Sequence, residues 1–231
     1  MIIKGYIPTT LIDYPGKIAS IVFLPRCNFR CPYCYNVELV NDSEELEIIS
    51  EDEIFEHLKL NKDWIEGVVL TGGEPCIHQD LPAFIKKIKE LGFLVKLDTN
   101  GTNPKMLKEL IEEKTIDYIA MDIKAPLEKY EDVARVKVNK EDIKKSIDII
   151  RSSGIDYEFR TTVLPTLLKK RDMEKIGVWL KGSKKFFIQQ FRPGKTLDKK
   201  FQNEKPYSLE DLDEFREILK KFIENVEIRG T

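Results

Sequence analysis

The chain has 231 residues, with 38 lysines and arginines against 40 aspartates and glutamates, a formal charge of -2 and 42% hydrophobic content. That length holds one well-buried domain and is short for two. The near-neutral balance gives no electrostatic drive toward nucleic acid or an anionic membrane, so neither is expected as a partner. No apolar run approaches the ~20 residues of a membrane-spanning helix. The opening MIIKGYIPTTLIDYPGK lacks the charged-then-apolar build of a signal peptide, and a cytoplasmic protein is expected.

Residues 1–17 read as an N-terminal extension. Strand-like runs follow at Ile18–Leu24, Gly67–Leu70, Phe93–Leu97, Tyr118–Ile123, Tyr157–Leu164 and Lys185–Phe191. Most are apolar on both faces, as in a covered parallel sheet. Helical stretches lie between them. Ser50 and Glu53 form a capping box ahead of Ile54, Phe55 and Leu58. Pro82 opens a helix that Gly92 ends, and Asn103-Pro104 opens the next. Ile143, Ile147 and Ile150 mark another, stopped by Gly154, and Ser208 caps a last one carrying Leu209, Leu212, Phe215, Leu219 and Phe222. Val226–Arg229 reads as one more short strand. Six β/α units over residues 18–191 point to an α/β fold with right-handed crossovers. Since a closed eightfold barrel takes ~250 residues, the expectation is a single domain over 1–231, built as a partial (β/α)6 barrel with outer helices. Residues 192–231 add a loop, a helix and the short strand. A doubly wound sheet is the alternative, which periodicity does not separate. Two loops look long, Pro126–Val138 and Pro193–Tyr207, both at the strand ends where such folds bind ligands.

Three of the four cysteines, Cys27, Cys31 and Cys34, lie on a short loop directly after the first of these runs. In a reducing compartment such a group is better explained by metal ligation or catalysis than by disulfides. Three thiolates can hold three irons of a cubane, leaving the fourth iron with an open position for a small chelating molecule. The structural alternative is a zinc site completed by Cys76, giving a zinc-stabilised binding module. Zinc sites usually show paired Cys-x-x-Cys knuckles, and a single pair occurs here.

The Cys-x-x-x-Cys-x-x-Cys spacing with Tyr33 before the last cysteine resembles the radical S-adenosylmethionine (SAM) superfamily. The resemblance implies one [4Fe-4S] cluster on Cys27, Cys31 and Cys34, with Tyr33 near the SAM adenine. Thr71-Gly72-Gly73-Glu74-Pro75 matches the segment that contacts the SAM amino group, which assigns Gly72, Gly73 and Glu74 to SAM. Asp98-Thr99-Asn100-Gly101 and Asp122-Ile123-Lys124 look like the strand-end segments of glycyl-radical-enzyme activating enzymes. The resemblance then implies SAM contacts from Asn100, Asp122 and Lys124, and a monovalent-cation site on Asp98, Thr99 and Asp122. Two carboxylates facing an anionic ligand need an intervening cation, which makes the borrowed site electrostatically sensible. Arg160, an inward charge in a strand that must meet a partner, matches an arginine that binds SAM. Arg192 stands where the family often has a histidine contacting SAM. Cys76 reads as a small buried thiol, His57 as an exposed helix residue, and His78 as a loop residue.

Thr10-Leu11-Ile12-Asp13-Tyr14-Pro15-Gly16-Lys17, with the closing Ile228-Arg229-Gly230, resembles the longer anaerobic ribonucleoside-triphosphate reductase activating proteins. The activity so implied is reductive cleavage of SAM to a 5′-deoxyadenosyl radical that takes hydrogen from a glycine of a partner glycyl radical enzyme. Flavodoxin or ferredoxin would supply the electron. The alternatives are a pyruvate formate-lyase-type activase, and a radical SAM enzyme acting on a small molecule or RNA base, as deazaguanine-forming synthases do. Lys195, Lys199 and Lys200 are candidates for docking the partner.

Overall fold

The computed structural model describes residues 1–230. The strands are β1 (Gly5–Thr10), β2 (Ala19–Leu24), β3 (Gly67–Gly72), β4 (Leu94–Thr99), β5 (Tyr118–Asp122), β6 (Asp156–Val163), β7 (Lys185–Gln190) and β8 (Asn225–Arg229). The helices are α1 (Val37–Val40), α2 (Glu51–Leu60), α3 (Leu81–Glu90) and α4 (Pro104–Glu112). After these come α5 (Tyr130–Ala134), α6 (Lys140–Ser152), α7 (Lys170–Trp179) and α8 (Leu209–Leu219). Strand order follows the sequence from β1 to β8. The α/β architecture expected from the alternating pattern is present, as an open sheet dominated by parallel pairs.

Two compact units make up the chain. The first holds residues 1–28, 38–120 and 142–156; the second holds 29–37, 121–141 and 157 onward. In the first, β2, β3 and β4 pair in parallel, Ala19 opposite Gly67 and Gly67 opposite Leu94. Nine of the twelve residues of β2 and β3 are buried, the rest half-buried, as expected of strands covered on both faces. Tyr14, Ala19, Ile21, Val69 and Tyr118 pack together with Phe23 and Leu94 against them. Tyr14, at 4% exposure, thereby anchors the Asp13-Tyr14-Pro15-Gly16 segment on the core, with Gly16 exposed. In the second unit β6, β7 and β8 pair in parallel, Phe159 opposite Phe186 and Phe186 opposite Val226.

Caps explain where helices begin. The Ser50 hydroxyl accepts from Glu53 N at 3.1 Å, and the Asn103 side chain accepts from Met106 N at 3.1 Å. Ser208 and Asp211 satisfy each other's backbone amides at 3.1 Å, a full capping box ahead of α8.

Three expectations are corrected. The N-terminal extension contains a strand: β1 pairs antiparallel with β2, Tyr6 opposite Val22. Its Pro8 and exposed middle mark an edge strand, where a missing N–H is tolerated. His57 is half-buried instead of exposed, because Tyr6 of that strand brings its hydroxyl 2.7 Å from His57 Nδ1. Segment 126–138 is not a plain loop, since it holds a 3-10 turn at Leu127–Lys129 and α5.

Candidate functional site

In the first unit, the ends of β3 and β4 and the entry to the cysteine loop are bound together. Gly73 N donates to Leu24 O, and Glu74 N to Arg26 O, both at 2.8 Å. A Cβ on Gly73 would stand 1.7 Å from Arg26 O, so a side chain there is excluded by the backbone that leads directly into Cys27. The glycines expected to admit a ligand are therefore required already by the protein's own chain crossing.

Glu74 is 1% exposed. Its Oε1 accepts from Cys76 N at 3.0 Å and from Thr99 Oγ1 at 2.7 Å, while Oε2 accepts from Asn100 N at 2.6 Å. Both carboxylate oxygens thus staple the end of β3 to the end of β4. Burial pushes the Glu74 carboxyl above its usual range, against the pull of the Thr99, Asn100 and Cys76 donors. The Asn100 amide donates to Asn28 Oδ1 at 2.8 Å and stands 3.9 Å from Cys27 Sγ. Asn28, unremarked by the motif, donates in turn to Thr102 Oγ1 at 2.8 Å. Cys76 is fully buried, its thiol pushed well up by burial and by the Glu74 carboxylate.

The second unit carries Cys31, Tyr33 and Cys34. Two backbone hydrogen bonds tie this segment to residues 193–207: Leu197 N to Cys34 O at 3.0 Å, and Asp198 N to Pro32 O at 2.9 Å. A third runs from Arg30 N to Ala134 O at 2.9 Å, so α5 braces its other side, with Phe29 edge-on to Tyr130. Tyr35 lies stacked on Phe191 and accepts from Arg192 N at 2.7 Å. Burial raises the Cys31 thiol to about 11, with Lys124 opposing. A thiol so placed ionises readily only on binding a metal.

Asp122, Lys124 and Arg160 meet within this unit. Lys124 Nζ lies 2.8 Å from Asp122 Oδ2, and Arg160 Nε 2.5 Å from Asp122 Oδ1. Burial opposes ionisation of Asp122, but the Arg160 guanidinium and Lys124 ammonium overcome it and hold the carboxyl far below the usual carboxylate range. Arg192 is engaged differently: its Nε donates to Gly230 O at 3.0 Å, fastening the C-terminal strand.

Two features of these residues fit the implied cofactors. Cys27, Cys31 and Cys34 follow one another on one loop and none is in a disulfide, the soft donor set an iron–sulfur cluster takes. The Tyr33 hydroxyl is buried with no hydrogen-bond partner among the described residues, a vacancy that a polar ligand beside the cysteines would satisfy. The monovalent-cation site does not fit. Asp98 is occupied by Lys96 Nζ, Thr99 gives its proton to Glu74, and Asp122 is occupied by Lys124 and Arg160. Lys96 is the functional candidate that the motifs pass over, although a lysine inside a strand two residues before Asp98 is visible in the sequence. Among the described residues no helix is long and apolar enough to cross a membrane.

The radical SAM superfamily profile matches residues 21–180. A protein of Methanocaldococcus jannaschii, "Putative glycyl-radical enzyme activating enzyme MJ1227", is 35% identical over 99% of this chain and 95% of its own. The pyruvate formate-lyase-activating enzyme of Clostridium pasteurianum is 27% identical, with 94% of each chain covered. In fold, the chain resembles Streptococcus suis SuiB bound to S-adenosylmethionine (TM-score 0.68, 15% identity, 91% of this chain and 52% of SuiB). By its sequence match and its near full-length relative, this chain belongs to the radical SAM superfamily, in the family of glycyl-radical enzyme activating enzymes.

Proposed function

We propose that this enzyme cleaves SAM reductively and installs a glycyl radical on a partner enzyme, an anaerobic ribonucleoside-triphosphate reductase, in the cytoplasm. The observation that carries the reading is the cysteine segment, with three cysteines in no disulfide and the Tyr33 hydroxyl buried without a hydrogen-bond partner among the described residues. When bound, the cluster supplies the electron that splits SAM into methionine and a 5′-deoxyadenosyl radical, and flavodoxin or ferredoxin is the proposed source of that electron. The protein's own residues orient and shield. The bonds Gly73 N to Leu24 O and Glu74 N to Arg26 O fix the Gly72-Gly73 backbone against the entry to the loop that carries Cys27, and Glu74 ties it to Thr99 and Asn100. Backbone carbonyl oxygens there, as acceptors, are the groups suited to the SAM amino end. Lys124 and Arg160, anchored on Asp122, together carry one more positive charge than Asp122 neutralises, which suits a carboxylate ligand. Tyr33 offers its hydroxyl to the adenosyl part.

The segment Thr10–Lys17 and the closing Ile228-Arg229-Gly230 support the reductase as partner. A second reading, a pyruvate formate-lyase-type activase, is favoured by the Clostridium pasteurianum relative, which aligns over 94% of both chains. Anaerobic reconstitution with iron and sulfide, then electron paramagnetic resonance of the reduced protein with and without SAM, tests the chemistry. A [4Fe-4S] signal that changes with SAM, together with 5′-deoxyadenosine formation, is expected. Replacement of Cys27, Cys31 or Cys34 by alanine abolishes it, whereas Cys76→Ala keeps it. A zinc-loaded protein without acid-labile sulfide would overturn the reading. Incubation with each candidate partner, read as a glycyl radical signal, separates the reductase from the lyase.

A further inference from the structure

Lys96 lies in the middle of β4 and is 2% exposed. Its ammonium sits 6.0 Å from the centre of the Tyr118 ring, and its Nζ is hydrogen-bonded to Asp98 Oδ1. Residues two apart on a strand share a face, so the sequence Lys96-Leu97-Asp98 itself delivers the ammonium to the carboxylate. A lysine so buried is retained at a cost unless its charge is matched, and the side-chain exposures of 3% and 12% for Lys96 and Asp98 leave little room for water to do the matching.

The other two ligands expected for a monovalent cation are also committed. Thr99 gives its hydroxyl proton to Glu74 Oε1 at 2.7 Å and accepts from Gly101 N at 3.1 Å, which leaves a single lone pair. Asp122 has Lys124 on one oxygen and Arg160 on the other. The two carboxylates thus already meet three side-chain cations, each pair formed within its own unit. An added metal cation would have to displace one of them. The electrostatic need that a cation would meet, keeping Asp98 and Asp122 from repelling an anionic ligand, is met by the chain itself.

We propose that Lys96 is the built-in counter-cation of this enzyme: its ammonium holds Asp98 in place of a bound monovalent metal ion, so that SAM is bound without potassium or sodium. Lys96 is a positioning residue, acting through Asp98 and not by touching SAM. A compact ammonium point charge is the side-chain group that comes nearest to an alkali-metal ion. The proposal rests on the reading that the enzyme binds SAM.

The test compares potassium, sodium and tetramethylammonium chloride at equal ionic strength. Two quantities are read: SAM affinity of the reconstituted protein by equilibrium dialysis, and the melting midpoint of the protein without SAM. The wild type is expected to give the same affinity and the same midpoint in all three salts. Lys96→Met is expected to bind SAM about tenfold more weakly in tetramethylammonium. Potassium or sodium should restore that affinity and raise its midpoint. The double variant Lys96→Met/Asp98→Asn removes both charges, and is expected to fold and to show no ion response. A wild type that needs potassium or sodium for either quantity would overturn the proposal, as would a Lys96→Met protein indifferent to both ions. Should Lys96→Met fail to fold, wild-type dependence or independence on the ions decides alone. A wild type that binds no SAM in any salt would contradict the SAM reading instead, and the melting comparison would still decide the role of Lys96.

Discussion

The Asn100 side-chain amide stands 3.9 Å from Cys27 Sγ while it donates to Asn28 Oδ1 at 2.8 Å. Asn100 is held there by its own backbone amide on Glu74 and by Thr102, whose N and Oγ1 both donate to Asn100 Oδ1. A fixed N–H group facing a thiolate sulfur stabilises the more negative, reduced state of an iron–sulfur centre. Asn100→Ala is therefore expected to lower the midpoint potential by about 40 mV, the equivalent of one hydrogen bond of about 1 kcal/mol in a one-electron couple. A redox titration followed by electron paramagnetic resonance reads this directly. An unchanged potential with normal iron loading would remove Asn100 from the cluster's surroundings.

Gly73 supports the cysteine loop from the other side. Because a Cβ there would meet Arg26 O at 1.7 Å, Gly73→Ala must displace the residue just before Cys27. The carbonyl belongs to backbone that is tied on both sides, by Gly73 N to Leu24 O and Glu74 N to Arg26 O. We expect iron incorporation to fall sharply, with stability reduced by about 2–4 kcal/mol, the range of severe packing clashes and backbone strain. Iron content per chain, measured beside the unfolding midpoint, distinguishes loss of the site from loss of the fold. Full iron loading in the variant would contradict the geometry.

Much of this arrangement is legible in the sequence. Strands buried on both faces announce themselves as apolar runs, as in Val68-Val69-Leu70 and Ile119-Ala120-Met121. The edge strand β1 does not, since Gly5, Pro8 and three exposed positions hide its pairing with β2. The cysteine spacing and the strand-end motifs single out candidate residues, but not what their side chains do. Glu74 reads as a ligand contact, whereas its carboxylate is spent on Thr99, Asn100 and Cys76. That is a pairing between segments 25 residues apart, which spacing alone does not encode. Lys96, like Arg160, is an inward charge in a strand and needs a partner. Its partner Asp98 is drawn from view there by the cation role that the resemblance gives it.

Asp122 gives a pH prediction with a definite sign. Its folded carboxyl is held below the usual range: burial resists ionisation, but Arg160 and Lys124 outweigh it. A depressed carboxyl adds stability above the unfolded value of about 3.9, and the contribution fades as pH falls toward the folded value. Asp122→Asn leaves two cations facing no carboxylate and should cost about 3 kcal/mol at neutral pH. The wild-type advantage should stay level from about pH 5 upward and shrink below about pH 4. Urea unfolding of both proteins across this range reads it. A gap that widened in acid would mean that the ion pairs are not its origin.

The two hydrogen bonds from Leu197 and Asp198 to Cys34 and Pro32 connect segment 193–207 to the cysteine segment. The same segment is internally braced. Asp198 caps the 3-10 turn at Lys199–Phe201, Thr196 is buried at 3% exposure, and Phe201 is buried at 9%. Lys195, Lys199 and Lys200 are exposed on this braced backbone. A macromolecule that grips these lysines holds a segment hydrogen-bonded to Pro32 and to Cys34, itself one of the proposed cluster ligands, and none of the three lysines is assigned to SAM. Replacing all three by alanine is accordingly expected to weaken glycyl radical formation on the partner by about tenfold or more, with the loss larger at low salt, as for any charge-steered encounter. SAM cleavage without the partner should stay at the wild-type rate. Parallel assays of 5′-deoxyadenosine release and partner radical yield separate the two effects. If both fell together, the lysines would be serving the fold of the segment, and the docking role would have to move elsewhere on the protein.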